Sequence, residues 1–229
     1  KESFFEVAND VAGKREYNQL IRLFRDRKWS ELEHGITTFR TTFESSPLRE
    51  AVTFLEVQSL FDQDTTGVED EDGRRAERKL RGALLLYPKS DFAPVLTATA
   101  GAHWLRTGNY QRSLAIYETG VNTFTQDPLY CTFLMGVAET QFLLRKWDVA
   151  EAAYDRVMAT CVNFRLRAAA LIRKVDLKWQ QGKSGVVEGY EKLVADESPF
   201  IERFYQPTLA NLGELLYRAG KWKEAGYFF

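Results

Sequence analysis

Two stretches, GAHWLRTGNYQRSLAIY at residues 101 to 117 and VAETQFLLRKWDVAEAAY at residues 137 to 154, are renderings of one pattern. Each sets a small residue, Gly101 or Ala138, on an apolar helical face, breaks the helix, and restarts on an aromatic, Tyr110 or Trp147. The second half then repeats apolar positions at helical spacing, Leu114, Tyr117 and Val121 in one copy and Ala150, Tyr154 and Val157 in the other. The C-terminal stretch LGELLYRAGKWKEAGYFF follows the same order, with Leu209, Leu212, Gly213 and Leu216 on one face, Gly220 as a left-handed stop, and Trp222 and Ala225 opening the next helix. A turn of about three residues between two such helices allows only an antiparallel neighbour. The unit is a helical hairpin. Gly101 inside a helix costs about 1 kcal/mol relative to alanine, which predicts that the two helices of its hairpin approach closely there.

Fainter copies precede these. Ala76, Leu80, Ala83 and Pro88 mark a second unit, and Leu20, Leu23, Trp29, Leu32, Ile36 and Phe39 a first. Trp147 lies 37 positions after Tyr110, and Trp222 lies 75 after Trp147, or two units. A fifth unit, near Leu171 to Val194, is the poorest copy, with Ser184 where the others carry an aromatic. In Leu212-Gly213-Leu216-Ala225-Phe229 and Gly101-Trp104-Tyr117 the chain resembles the tetratricopeptide repeat, with a period slightly longer than that family's usual 34 residues. The resemblance implies an all-α fold: a right-handed superhelical solenoid of antiparallel helix hairpins, about five to six repeats in one domain over 1–229. The expected repeats are 13–46, 47–91, 92–127, 128–163, 164–200 and an incomplete 205–229. Trp104, Tyr110, Trp147, Tyr154 and Trp222 are expected in the core. Because Phe228 and Phe229 are bare apolar residues where a terminal repeat needs a polar cap, the array is expected to continue beyond residue 229.

Composition narrows the function. Hydrophobic residues make up 45% of the chain, enough for a continuous core, and Lys and Arg number 31 against 32 Asp and Glu, with no basic stripe along the sequence to attract nucleic acid. No apolar run approaches the roughly 20 residues that span a bilayer, so the segment reads as soluble, with an anchor outside it left open. The compartment is barely legible, with a slight lean to the bacterial cell envelope or periplasm and the cytoplasm open.

The motifs that could carry chemistry are weak. Gly182-Lys183-Ser184 lacks the upstream glycine and the strand of a phosphate-binding loop, and Gly182 reads as a helix stop. Asp62, Asp64, Asp70 and Asp72 lie in an acidic stretch that partly matches a calcium loop, but Gly73 stands where the closing glutamate belongs, and a solvated loop is the favoured reading. His34 and His103 have no sequence partners and read as ordinary helix residues. Cys131 and Cys161 fall at ends of one hairpin that lie on the same side. A bridge is geometrically permitted, but the favoured reading is two small, unbridged apolar residues. No catalytic motif, cofactor or metal site emerges, so the chain is read as a non-enzyme.

The resemblance also implies that the first helices of successive repeats line a concave groove that binds other proteins or peptide segments. Carried onto this chain, the groove candidates are Tyr17, Phe24, Arg25, Arg106, Met135, Glu139, Phe142, Trp179, Glu214, Tyr217 and Arg218. The Lys and Asn clamp by which some members of the family hold a terminal carboxylate is not matched, so a hydrophobic segment is the expected ligand. The function implied is a protein-interaction scaffold. The alternative is a structural subunit of a large multiprotein assembly, such as a bacterial envelope complex, contacting partners through convex faces and repeat ends.

Overall fold

The computed structural model describes residues 11–63, 71–195, 206–218 and 220–226, and among these the regular structure is helix with no strand. Two compact units divide at Leu129 and Tyr130. The first holds α1 (Lys14–Arg25), α2 (Trp29–Thr42), α3 (Arg49–Gln63), α4 (Glu71–Leu86), α5 (Phe92–Arg106) and α6 (Tyr110–Thr123). The second holds α7 (Tyr130–Leu143), α8 (Trp147–Thr160), α9 (Phe164–Gln180), α10 (Val186–Ala195), α11 (Gln206–Arg218) and the short α12 (Trp222–Ala225). In each unit consecutive helices pair as hairpins, α1 with α2 through α11 with α12. The all-α array of hairpins that the sequence implies is what the chain forms.

Most of the hairpin turns share one device. The residue that ends the first helix enters the left-handed region, at Arg27 (φ 56), Arg145 (φ 58), Gly182 (φ 64) and Gly220 (φ 76). The next N–H then reaches back five residues: Lys28 donates to the Leu23 carbonyl at 2.9 Å, Lys146 to Gln141 at 3.0 Å, Lys183 to Lys178 at 3.0 Å, and Lys221 to Leu216 at 2.9 Å. Such a cap satisfies carbonyls that the helix end leaves open and turns the chain back on itself. Arg27 and Arg145 hold this conformation where the other turns use glycine, at a cost of about 1–2 kcal/mol each.

Within the first unit, α3 is enclosed between two clusters. Val52 and Leu55 close with Leu20 and Ile21 of α1 and Leu32, Ile36 and Phe39 of α2. Phe54, Val57 and Phe61, on its other side, close with Leu80 of α4 and with Leu96 and Trp104 of α5. Neither of the first two hairpins buries its apolar face alone; each cluster takes in the first helix of the next hairpin. The α5–α6 pair shows the predicted close approach. A Cβ on Gly101 would stand 2.7 Å from the Tyr117 ring, and the Ser113 hydroxyl donates across the gap to the Gly101 carbonyl at 2.9 Å.

The second unit repeats the logic. Ala138 of α7 and Ala150, Tyr154 and Val157 of α8 are fully enclosed. Ile172 and Val175 of α9, Val186 of α10, Leu216 of α11 and Ala225 of α12 form one shared cluster. Two expectations are corrected here. Of the aromatics expected in the core, Trp104 and Tyr154 are enclosed, but Tyr110 and Trp147 are half-buried and Trp222 is 70% exposed, because each begins its helix at the turn rather than on the packed face. Cys131 and Cys161 are bridged, with Cα atoms 5.8 Å apart, because the antiparallel pairing brings the start of α7 beside the end of α8. The unbridged reading is overturned: buried cysteines are usually inert, but here both lie within bonding reach.

A link spanning 30 residues of chain stabilises by about 3–4 kcal/mol through the unfolded ensemble. Denaturant unfolding of the oxidised protein and of the Cys131→Ser/Cys161→Ser variant should therefore differ by about this amount. Coincident transitions would contradict the bridge.

Candidate partner-binding surface

The groove residues proposed from the sequence fall on the first helices α1, α5, α7, α9 and α11, and the two units treat them differently. In the first unit, Tyr17 is fully enclosed and its phenol is pushed up by burial. It offers no surface to a partner and is corrected to a core residue: on α1 it faces α2 and α3 rather than solvent. Phe24 is half-buried and meets Trp29 edge-on at 5.7 Å, while Arg25 and Arg106 are exposed. The structure does not gather these residues into a cluster.

The second unit does gather some of its candidates. Helices α7 and α9 open consecutive hairpins and pack side by side, so Glu139 and Phe142 of α7 meet Arg173 of α9. The Arg173 Nε donates to Glu139 Oε1 at 2.9 Å, and its Nη1 donates to Asp176 Oδ2 at 3.1 Å. The guanidinium also lies 5.6 Å from the centre of the Phe142 ring, whose neighbour on the chain-turn side is Trp147 at 5.6 Å. From α8, the Tyr154 hydroxyl donates to the same Glu139 oxygen at 3.2 Å. Met135, one turn earlier on α7, is half-buried. Trp179 packs against the Ile172 and Val175 cluster. On α11, Glu214 and Arg218 form an ion pair one turn apart, and Tyr217 is 62% exposed.

The electrostatics of this cluster follow from its burial. Burial by itself lowers the affinity of Arg173 for its proton, but Glu139 and Asp176 outweigh that and hold the guanidinium more firmly charged than usual. Burial, and then the Glu139 charge, raise the Tyr154 phenol well above its ordinary range, so it acts as a hydroxyl donor. One cation thus serves two carboxylates and covers an aromatic ring. The arrangement orients a face; it does not present an activated nucleophile. Sequence reading missed Arg173, Asp176 and Tyr154 as a network. Its one trace was Asp176 set between Val175 and Leu177 on a buried helical face.

The remaining candidates bring no chemistry together. Asp62 is exposed and accepts from Gln58 Nε2 at 2.9 Å, while Asp64, Asp70 and the Asp72 side chain lie outside the described residues. Among the described residues no group of His, Cys, Asp or Glu is placed to hold a metal ion. His103 is buried between the Phe61 ring at 5.3 Å and the Trp104 ring at 4.9 Å. No described helix is long and apolar enough to cross a membrane.

Arg173→Met should leave two poorly hydrated carboxylates facing each other's charge. Asp176 is 8% and Glu139 17% exposed, but the arginine itself is 43% exposed, so the cost is discounted to about 2 kcal/mol at neutral pH. Arg173→Lys should recover only part, since a single ammonium cannot reproduce the forked contacts. Urea unfolding checks both, and an unchanged midpoint for the methionine variant would contradict the network.

No protein-family model matches the chain, and no curated protein matches it in sequence. Solved structures do resemble it. BtubC from P. vanneervenii superposes with a TM-score of 0.66 at 17% identity, over 89% of this chain and 87% of that one. A tetratricopeptide repeat protein from Parabacteroides merdae gives 0.65 at 12% identity, over 94% and 76%. PilW, described as a type IV pilus biogenesis factor, gives 0.59 at 17% identity, over 96% and 90%. At these identities the likeness is one of fold: the chain is a helical-repeat protein of the tetratricopeptide-like kind.

Proposed function

We propose that this chain is a non-catalytic protein-interaction scaffold, and that the first-helix surface of its second unit holds a segment of a partner protein. The observation that carries the reading is the α7–α9 cluster, in which Phe142 is held in place by Arg173 and Trp147 yet remains half-buried rather than enclosed. A fixed aromatic loses little freedom on binding, and aromatic and arginine side chains are enriched among the few residues that dominate interface energy. Met135 extends the apolar strip along α7, and Tyr217 with Glu214 and Arg218 offers a second aromatic on α11. On the first unit, taken by itself, Phe24, Arg25 and Arg106 stay in the proposal as exposed or half-buried contacts; Tyr17 does not.

The ligand that suits the second unit is an apolar segment with a polar flank. The charged groups of the α7–α9 cluster are already satisfied by one another, so they define its edge rather than recruit a counter-ion. The Cys131–Cys161 bridge supports a setting outside the reducing cytosol, which accords with the lean toward a cell envelope. The second reading, a structural subunit that makes contacts through its second helices, is favoured by Leu85 and Leu86 of α4, which are 83% and 65% exposed.

Affinity capture with the intact chain as bait should recover a partner whose yield falls about tenfold with Phe142→Ala and with Tyr217→Ala, as expected for loss of about 1.4 kcal/mol at an aromatic anchor. Circular dichroism should show both variants folded. Unchanged recovery in both would move the binding surface elsewhere.

A further inference from the structure

The second helices of the first unit form a different kind of surface. Between α2 and α4, over the start and middle of α3, lies a cleft of about 580 Å³ lined by Arg40, Arg49, Arg75, Arg78 and Lys79, with Glu56 as the carboxylate among them. One wall is apolar, made of Ala83, Leu86 and Tyr87, and Gly82 leaves it open: a Cβ there would meet no atom within 4 Å. In a chain with nearly equal numbers of acids and bases, such a concentration of cations is local to this cleft.

The cations are not equally engaged. Arg40 and Lys79 both hold Glu56, at 2.7 and 3.0 Å, and Arg75 pairs with Glu33 on the rim. Burial alone would raise the Glu56 carboxyl, but the hydrogen bonds and charges of Arg40 and Lys79 outweigh it and hold it below its usual range. Arg49 donates to a neutral group, the Glu44 carbonyl, at 2.5 Å, and forms no ion pair among the described residues. Arg78 is exposed and forms no ion pair among the described residues. Two guanidinium groups on facing elements, α3 and α4, are therefore left for an incoming anion. Beside them sits Leu86, a large apolar side chain left 65% exposed on a folded surface.

We propose that this cleft is a second binding site, separate from the first-helix surface, which takes a short acidic segment of a partner protein, its carboxylates on Arg49 and Arg78 and an adjoining apolar side chain on Ala83, Leu86 and Tyr87. A carboxylate suits a guanidinium partner, as the Arg40 Nη2 contact to Glu56 in the same cleft illustrates. The apolar wall argues for a peptide over a bare polyanion, because a phosphate backbone would leave Leu86 uncovered. The cationic lining is also too confined to follow a nucleic acid strand, whose binding depends on many spaced phosphate contacts.

Fluorescence anisotropy with the intact chain tests this, using as probe a short labelled peptide that alternates glutamate and leucine. Saturable binding is expected, weakening steeply with salt, and at least about tenfold weaker for the Arg49→Gln/Arg78→Gln variant. Gly82→Leu should block the cleft with a similar loss. Its new side chain enters open space and replaces a helix-weakening glycine, so its melting temperature should hold or rise. Phe142→Ala should bind the probe like the unaltered chain. The proposal is overturned if a glutamine-for-glutamate probe binds equally well, if the double arginine variant binds normally, if Phe142→Ala abolishes binding, or if a short oligonucleotide displaces the peptide more effectively than unlabelled peptide does.

Discussion

Two helices can lie close together only where one of them gives up side-chain volume, and in this chain that concession sets the geometry of the hairpin. At Gly101 the missing Cβ leaves room for the Tyr117 ring, and the resulting closeness lets the Ser113 hydroxyl reach the Gly101 carbonyl. Gly35 plays a similar part against Leu20, where a Cβ would stand 2.6 Å from the leucine methyl. With the helices drawn together, apolar residues on both present one continuous surface to the next hairpin. That surface is too large for its own pair to cover, so the next hairpin must stack on it. The enclosure of α3 between two clusters is the consequence.

Stacking also decides where interaction chemistry can appear. First helices of consecutive hairpins become neighbours, so Glu139 and Arg173, distant in sequence, share a hydrogen bond. A first helix lies between the second helix before it and its own partner, which leaves α2 and α4 as walls over α3 and gathers the arginines of three helices around Glu56. One surface is then aromatic with its charges internally matched, and the other is cationic with charge to spare. Both arise from one packing rule applied to different side chains.

The hairpins were legible because their signals are local. Helical spacing, turn glycines and the small-residue position all lie within one unit, and even the poor fifth copy forms α9 and α10. What escaped the sequence depends on neighbours beyond the unit. Tyr17 looked like a groove aromatic because its helix face is ambiguous until α3 packs on it, and Trp222 looked like core because its equivalents, Trp29 and Trp147, are each met by a phenylalanine. Arg27 and Arg145 hid two turns, since neither residue announces a left-handed conformation. The bridge between Cys131 and Cys161 was permitted by the topology but could not be distinguished from two buried thiols without coordinates. Arg173 was missed for the same reason as the basic cleft: charges scattered evenly along a chain can still converge once helices stack.

The close approach at Gly101 is tested most directly by the sign of one stability change. In an unconstrained helix, Gly101→Ala would stabilise by about 1 kcal/mol through helix propensity. With the Tyr117 ring 2.7 Å from the added methyl, the same substitution must push the pair apart, and the expected result in urea unfolding is a loss of about 1–3 kcal/mol. A gain in stability would contradict the packing on which the rest is built.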